Sequence, residues 1–164
     1  LAKAESDAYH FQPSLFAMLV LDVFDQALPL AQHKQIQLVH EVEDEAQESL
    51  LMADQALLTR ALFNLLENAI KYSAAGTRVS LRVRHSGDWL TCELTDQGKG
   101  IAAEELPELF SQYRRFSSAQ GIDGVGLGLS MVKAVVDRHG GRIECTSVVG
   151  IGTCFRLDFP LLEE

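Results

Sequence analysis

Residues 54–73 read DQALLTRALFNLLENAIKYS, and the division of this stretch between two faces decides how the rest of the chain is read. Leu58, Ala61, Leu62, Leu65 and Ala69 recur at helical spacing and form a buried stripe, with Asp54 placed to cap the helix in front of them. Asn64, Asn68 and Lys71 fall within roughly a 60° arc at the rim of that stripe, at about 100° of rotation per residue. Two carboxamides and an amine at the edge of a buried face are poor helix formers or costly to desolvate, so propensity does not explain them. A carboxamide carbonyl is a hard oxygen suited to Mg²⁺, and an ammonium holds phosphate as a point charge. On this helix alone, a solvated polar flank would look the same.

Downstream, Gly76 breaks the chain. Val79, Leu81 and Val83 alternate on one predicted strand and Leu90, Cys92 and Leu94 on the next, joined across the hairpin signal Ser86-Gly87-Asp88. The second strand ends in Asp96-Gln97-Gly98-Lys99-Gly100-Ile101. A carboxylate there can accept a hydrogen bond from an exocyclic amino group such as that of adenine, and Gly98 and Gly100 let backbone approach a flat ring. Asp and Gly are also ordinary turn residues. A short acidic helix is expected near Ala103–Phe110, and Ser111–Asp123 is polar and aperiodic, with Arg114, Arg115 and Phe116 near its start.

Gly124-Val125-Gly126-Leu127-Gly128-Leu129 then opens a second strong helix, expected over about Leu127–His139 and stopped by Gly140-Gly141. Successive backbone N–H groups at a helix N-terminus suit phosphate. The dinucleotide fingerprint is absent, since Leu129 stands where its last glycine would, and no Gly-Lys pair makes a P-loop. Two closing strands, near Arg142–Val148 and Thr153–Pro160, flank Gly150-Ile151-Gly152, which leaves the Thr153 hydroxyl as a candidate partner for Asp96.

Upstream, Ile36, Leu38, His40 and Val42 alternate as a strand, followed by a solvated acidic loop over Glu41–Glu48. Ser14 is expected to cap a helix through Leu15, Leu19, Val23 and Ala27, which Pro29 kinks or closes. His10–Pro13 is extended, and residues 1–9 read as the tail of something that precedes them. These elements give one α+β domain, with helices on one side of a largely antiparallel sheet.

Composition narrows the function. The 164 residues fit one domain at about 150 residues per domain, and 47% hydrophobic with 23% charged residues is a globular balance. A net charge of -9 disfavours nucleic-acid backbones. No apolar run approaches the ~20 residues that cross a bilayer. Cys92, Cys145 and Cys154 form neither a disulfide framework nor a zinc motif, and the five histidines show no ligand spacing. No Ser/His/Asp or Cys/His arrangement makes a nucleophile site.

Taken in order, Asn64-Leu-Leu-Glu-Asn68-Ala-Ile-Lys71-Tyr72-Ser73, Asp96-x-Gly98-x-Gly100-Ile101, Phe110, Gly124-x-Gly126-x-Gly128-Leu129 and Gly150-x-Gly152-Thr153 resemble the catalytic ATP-binding domain of bacterial sensor histidine kinases. They look like that family's Asn box, first glycine box, Phe box, second glycine box and final Gly-Thr element, and the likeness spans roughly residues 10–160. The resemblance implies a two-layer α/β sandwich of the Bergerat type. In it, three main helices lie on one face of a mixed, mainly antiparallel sheet of about five strands. Residues 1–9 would be the tail of a preceding dimerisation helix or linker, and residues 10–164 the catalytic domain.

Carried over by position, Asn68 would hold Mg²⁺ with help from Asn64, Lys71 would contact phosphate, and Tyr72 would lie by the adenine. Asp96 would accept from the adenine amino group, in a pocket shaped by Gly98, Gly100 and Ile101 and supported by Thr153. Residues from about Ser111 to Asp123 would form a lid, with Arg115 aimed at phosphate. Gly124, Val125, Gly126, Leu127, Gly128 and Leu129 would cradle the phosphates, although Val125 replaces the family's usual small hydroxyl residue. The family's phosphoacceptor segment is missing: His10-Phe11-Gln12-Pro13 has neither its acidic neighbour nor a helical setting.

The resemblance therefore implies Mg-ATP as substrate and γ-phosphate donation to a histidine on a separate dimerisation domain. It also implies a homodimeric, cytoplasmic or inner-membrane-anchored parent, a response regulator as downstream partner, and no membrane insertion by this domain. The other readings on the same fold are an ATPase switch of the gyrase or chaperone type, an anti-sigma-factor-type Ser/Thr kinase, and a docking domain that no longer binds nucleotide. The switch needs a glutamate base four residues before the metal-binding Asn, where this chain has Asn64, which cannot take a proton from water.

Overall fold

Twelve short segments carry the fold of the computed structural model, which describes residues 9–111 and 125–162, with side chains from residue 128 in the second stretch. Strand β1 (Gln12–Leu15) leads into helix α1 (Phe16–Lys34), followed by β2 (Gln37–Val42), a 3₁₀ turn (Asp44–Ala46) and β3 (Leu50–Ala53). Helix α2 (Gln55–Lys71), β4 (Arg78–Ser86) and β5 (Trp89–Asp96) come next, then a 3₁₀ segment (Ala103–Glu108). Helix α3 (Val125–Arg138) and the strands β6 (Arg142–Val148) and β7 (Gly152–Pro160) complete the order.

The main sheet runs β2-β4-β5-β7-β6. Only β2–β4 is parallel, and the other three pairings are antiparallel. Period-two alternation turns Val79, Leu81, Val83, Leu90, Cys92 and Leu94 inward, where they join α1, α2 and α3 in one core with Phe155, Leu157 and Phe159. This is the mixed five-stranded sheet with three main helices that the family resemblance implied.

Four local expectations need correction. Ser14 caps nothing: it is buried in β1, its hydroxyl donating to Gln12 O at 2.9 Å and accepting from Gln55 Nε2 at 3.0 Å, and α1 starts without a side-chain cap. Of the two outcomes expected at Pro29, closure does not occur: the residue lies inside α1, which continues to Lys34. The carbonyl it leaves unpaired belongs to Asp25, an exposed residue where water can serve. β3 went unrecognised as a strand, and it pairs with β1 in a separate two-stranded antiparallel sheet. The acidic helix near Ala103–Phe110 is a 3₁₀ segment over Ala103–Glu108, with Pro107 inside it. By contrast, Asp54 caps α2 through Leu57 N–H, which donates to Oδ1 at 3.0 Å.

His139, just past the end of α3, ties three segments together. It is buried, its Nε2 accepting from Asp54 N–H at 3.0 Å while Nδ1–H donates to Val135 O at 2.7 Å. Its ring meets Phe11 edge-on at 5.0 Å and Phe159 at 6.3 Å. Asp54 also accepts from His10 N–H at 2.9 Å through Oδ2. Burial pushes the Asp54 carboxyl up, but the donors His10 N–H and Leu57 N–H outweigh it and hold the group below its ordinary value.

Burial, with the Arg138 charge, lowers the His139 pKa, and its bond to Val135 and the Asp54 carboxylate offset this only in part. A lowered folded-state pKa means that the unfolded chain takes up the proton first. The neutral-His139 contribution is therefore complete above the ordinary value of 6.5 and declines as pH falls below it. Thermal melts should show stability falling between neutrality and pH ~5.5, and His139→Gln should flatten that slope. Parallel slopes in wild type and variant would assign the loss to other groups.

Candidate functional site

Helix α2 carries Asn64 and Asn68 half-buried on one flank and Lys71 exposed at its end. Neither carboxamide has a hydrogen-bond partner among the described residues, which leaves both available to water or a ligand. A Cβ added at Gly128 would lie 3.1 Å from Asn64 Nδ2, so the first turns of α3 are pressed against the Asn64 side chain. Leu129 points into the core at 3% exposure, where it anchors α3. Gly128, in the opening turn whose backbone N–H groups have no partners within the helix, thus sits beside the Asn64 amide.

Asp96 lies at the end of the sheet, beside the C-terminal end of α2. It ends β5, paired with Val79 on one side and Thr153 on the other. Its Oδ1 accepts Gly98 N–H at 2.8 Å and Thr153 N–H at 3.2 Å, and no described residue donates to Oδ2. Burial pushes the carboxyl above its ordinary value, with the two backbone donors pulling it partly back. Gly98 stands against the end of α2: a Cβ there would be 2.7 Å from Tyr72 O. Gly100 has φ +79°, and its Cβ would be 2.4 Å from Val148 O, so glycine is required on both counts.

The β6–β7 hairpin holds this loop from the other side. Ser147 Oγ accepts Ile101 N–H at 2.8 Å, and Gly150 N–H donates to Lys99 O at 2.8 Å. The expected hydroxyl contact from Thr153 to Asp96 is not made: the Thr153 hydroxyl lies 2.7 Å from Ser147 Oγ, and Thr153 supports Asp96 through its backbone N–H. The strand register explains this, because Thr153 is directly opposite both Asp96 and Ser147. Ser147 is the residue that sequence reading missed. A serine alternating in a strand carries no signal of its own.

Tyr72 follows α2, half-buried, with a hydroxyl that is buried and lacks a partner. Burial raises its pKa, and Lys99 Nζ lies 5.7 Å from the ring centroid. Ile101 is half-buried against the core, and Phe110 meets Phe155 edge-on at 6.3 Å. Arg115 and Gly124, with Arg114, Phe116 and most of the expected lid, lie outside the described residues. For Val125, Gly126 and Leu127 the description extends to a helical backbone.

Gly128 thus lies against Asn64 of α2, and Gly98 against Asp96 and against Tyr72, which follows α2. Among the described residues, one oxygen of Asp96 is free to accept and the amide oxygens of Asn64 and Asn68 are free to ligate. Both ring nitrogens of His139 are engaged, His40 packs edge-on to Phe24 at 4.6 Å, and His85 faces Glu45 at 3.5 Å.

Residues 53–163 match the family described as histidine kinase-, DNA gyrase B-, and HSP90-like ATPases. The sensor-like histidine kinase SenX3 of Mycobacterium tuberculosis is 40% identical over 127 residues, covering 76% of this chain and 31% of that protein. The mycobacterial sensor histidine kinase MprB superposes with TM-score 0.74 at 30% identity, over 88% of this chain and 97% of that one. The catalytic domain of histidine kinase ThkA shares the fold with TM-score 0.80 at 21% identity, over 92% and 95% of the two chains. The chain spans about a third or less of the length of the curated relatives it matches. Among the described residues no helix is long and apolar enough to cross a membrane.

Proposed function

Because the chain belongs to the histidine kinase-, DNA gyrase B-, and HSP90-like ATPase family, as the ATP-binding catalytic domain of a two-component sensor kinase, we propose that it binds Mg-ATP and donates the γ-phosphate to a histidine on a dimerisation domain of its parent. In this reading residues 10–164 are the catalytic domain and residues 1–9 the tail of the segment before it. The parent works as a cytoplasmic or inner-membrane-anchored homodimer that passes the phosphate to a response regulator.

The observation that carries the reading is Asp96, with one oxygen fixed by two backbone N–H groups and the other without a donor among the described residues. An adenine amino group supplies the missing donor, and Gly98 lets the loop close on the Tyr72 peptide so that its N–H can hold the carboxylate. Asn68, assisted by Asn64, fits a hard cation because its carbonyl oxygen is unclaimed. Mg²⁺ would neutralise charge on the phosphates. Lys71 and the α3 N-terminus bind the same phosphates, with Arg115 reaching them from the lid and Thr153 bracing Asp96. The domain's contribution is positioning and charge neutralisation, which is most of what phosphoryl transfer asks of a protein.

Incubation with γ-labelled ATP tests the division of labour. This chain alone should remain unlabelled and turn over slowly, since Asn64 cannot activate water and no histidine is placed to receive phosphate. Adding the parent's dimerisation fragment should place acid-labile label on that fragment. Label on this chain alone would overturn the assignment. In calorimetry, Asn68→Ala should weaken Mg-ATP binding about tenfold while leaving Mg-free ATP within about twofold. Equal losses with and without Mg²⁺ would remove Asn68 from the metal site.

A further inference from the structure

The last four carbonyls of α2 can be followed one by one. Asn68 O accepts Tyr72 N–H at 3.1 Å, Ala69 O accepts the Ser73 hydroxyl at 2.7 Å, and Ile70 O accepts Ser73 N–H at 3.3 Å. Ile70 O also accepts Lys34 Nζ at 3.0 Å, and Lys71 O accepts Lys34 Nζ. Lys34 is the last residue of α1, and it comes alongside because the two helices end together: Gly76 N–H donates to Gln35 O at 2.8 Å. Among the described residues, nothing else reaches Lys71 O. An ammonium at the negative end of a helix, bonded directly to two of its orphan carbonyls, is a favourable and specific cap.

That cap lies one peptide from the candidate site. Tyr72 O is the atom against which Gly98 is pressed, and Gly98 N–H fixes Asp96 Oδ1. We propose that Lys34 is a positioning residue for the purine end of the nucleotide site. By pinning the last turn of α2 it sets the Tyr72 peptide, which sets the Gly98 turn and the direction of the Asp96 carboxylate. This rests on the reading of these residues as an ATP site. Lys34 touches neither nucleotide nor metal in this scheme; it acts through Tyr72 and Gly98. The same turn also carries Asn68 and Lys71 of the phosphate end, so it is the change in base preference, rather than the loss of affinity alone, that marks the purine end.

Calorimetry of the whole chain with ATP and GTP separates this role from a general contribution to folding. Lys34→Met should lose about tenfold in ATP affinity, and the ATP-to-GTP preference should shrink, because the base-reading carboxylate is what moves. Lys34→Arg, which keeps a cation with donors on a long stem, should stay within about threefold of wild type with its preference intact. Should the Met variant not fold, Lys34→Gln, which keeps a donor without the charge, carries the same comparison. A variant that melts lower but loses ATP and GTP in equal proportion would reduce Lys34 to a structural cap, and unchanged ATP affinity would equally overturn the proposal. A wild-type chain that binds no ATP would instead refute the function beneath it.

Discussion

Asp96→Asn should lower ATP affinity about 100-fold while leaving the melting temperature unchanged or raised. The carboxamide is nearly isosteric, so its oxygen can keep both backbone donors, Gly98 N–H and Thr153 N–H. The other position becomes an NH₂ facing the adenine amino group, two donors with no acceptor between them. Losing a charge-assisted bond costs about 1.5–3 kcal/mol, and an unmet buried donor adds about 1–3 kcal/mol. About 2.7 kcal/mol already gives the 100-fold.

The stability side follows from the sign of the Asp96 shift. Burial raises its folded-state pKa, so the fold favours the neutral acid. The stability belonging to that neutral form is fully present below the unfolded value and lost as pH rises through the folded one. At neutral pH the ionised group is therefore a burden on folding, which Asn removes. Wild type should also prefer ATP over GTP by at least about tenfold, because guanine opposes a carbonyl to the carboxylate. Calorimetry with both nucleotides and a thermal melt check all three points, and equal wild-type affinities would exclude Asp96 as the base reader.

The second large effect is expected at Gly152, where function and folding should fail together. A Cβ there would lie 2.1 Å from Asp96 O and 3.1 Å from Gln97 Cα, both backbone atoms where the β5–β7 pairing ends. Nothing flexible can yield, so Gly152→Ala should cost on the order of 3 kcal/mol and displace Asp96 enough to abolish measurable ATP binding. Gly150→Ala is the control. Gly150 has φ +83° but no atom within 4 Å of its Cβ, so it should cost about 1 kcal/mol and leave ATP affinity within about twofold. Denaturant titrations and calorimetry on the pair decide it; similar losses for both would show that hairpin strain, rather than contact with β5, matters.

What the sequence disclosed and what it concealed divide along a physical line. Local pattern was enough for α2, because a leucine stripe, an aspartate cap and polar residues that propensity cannot justify all fall within twenty residues. The β4–β5 hairpin announced itself through Ser86-Gly87-Asp88, and Gly98 and Gly100 through their place after a strand. β3 was illegible: four residues, Leu50–Ala53, squeezed between an acidic turn and a helix cap, hold too few alternations to show a period. Ser14 looked like a cap because cap and strand positions share a residue type, and only pairing with β3 settles it. Ser147 and Lys34 act on backbone atoms of distant segments, and no spacing along the chain encodes a partner of that kind.

The register that sets Asp96 opposite Thr153 has a consequence for how the molecule assembles. The hairpins β4–β5 and β6–β7 each close over a handful of residues, whereas Asp96 and Thr153 are 57 positions apart. Closing that large loop is entropically the dearer step, rewarded only once the two ribbons zip together. The site does not pre-exist in either ribbon: one brings the carboxylate, the other the backbone donor and the serine that holds the loop. Nucleotide binding competence should therefore arrive late in refolding, with the ribbon–ribbon seam rather than with secondary structure, and ATP should slow the parting of that seam more than the fraying of either hairpin.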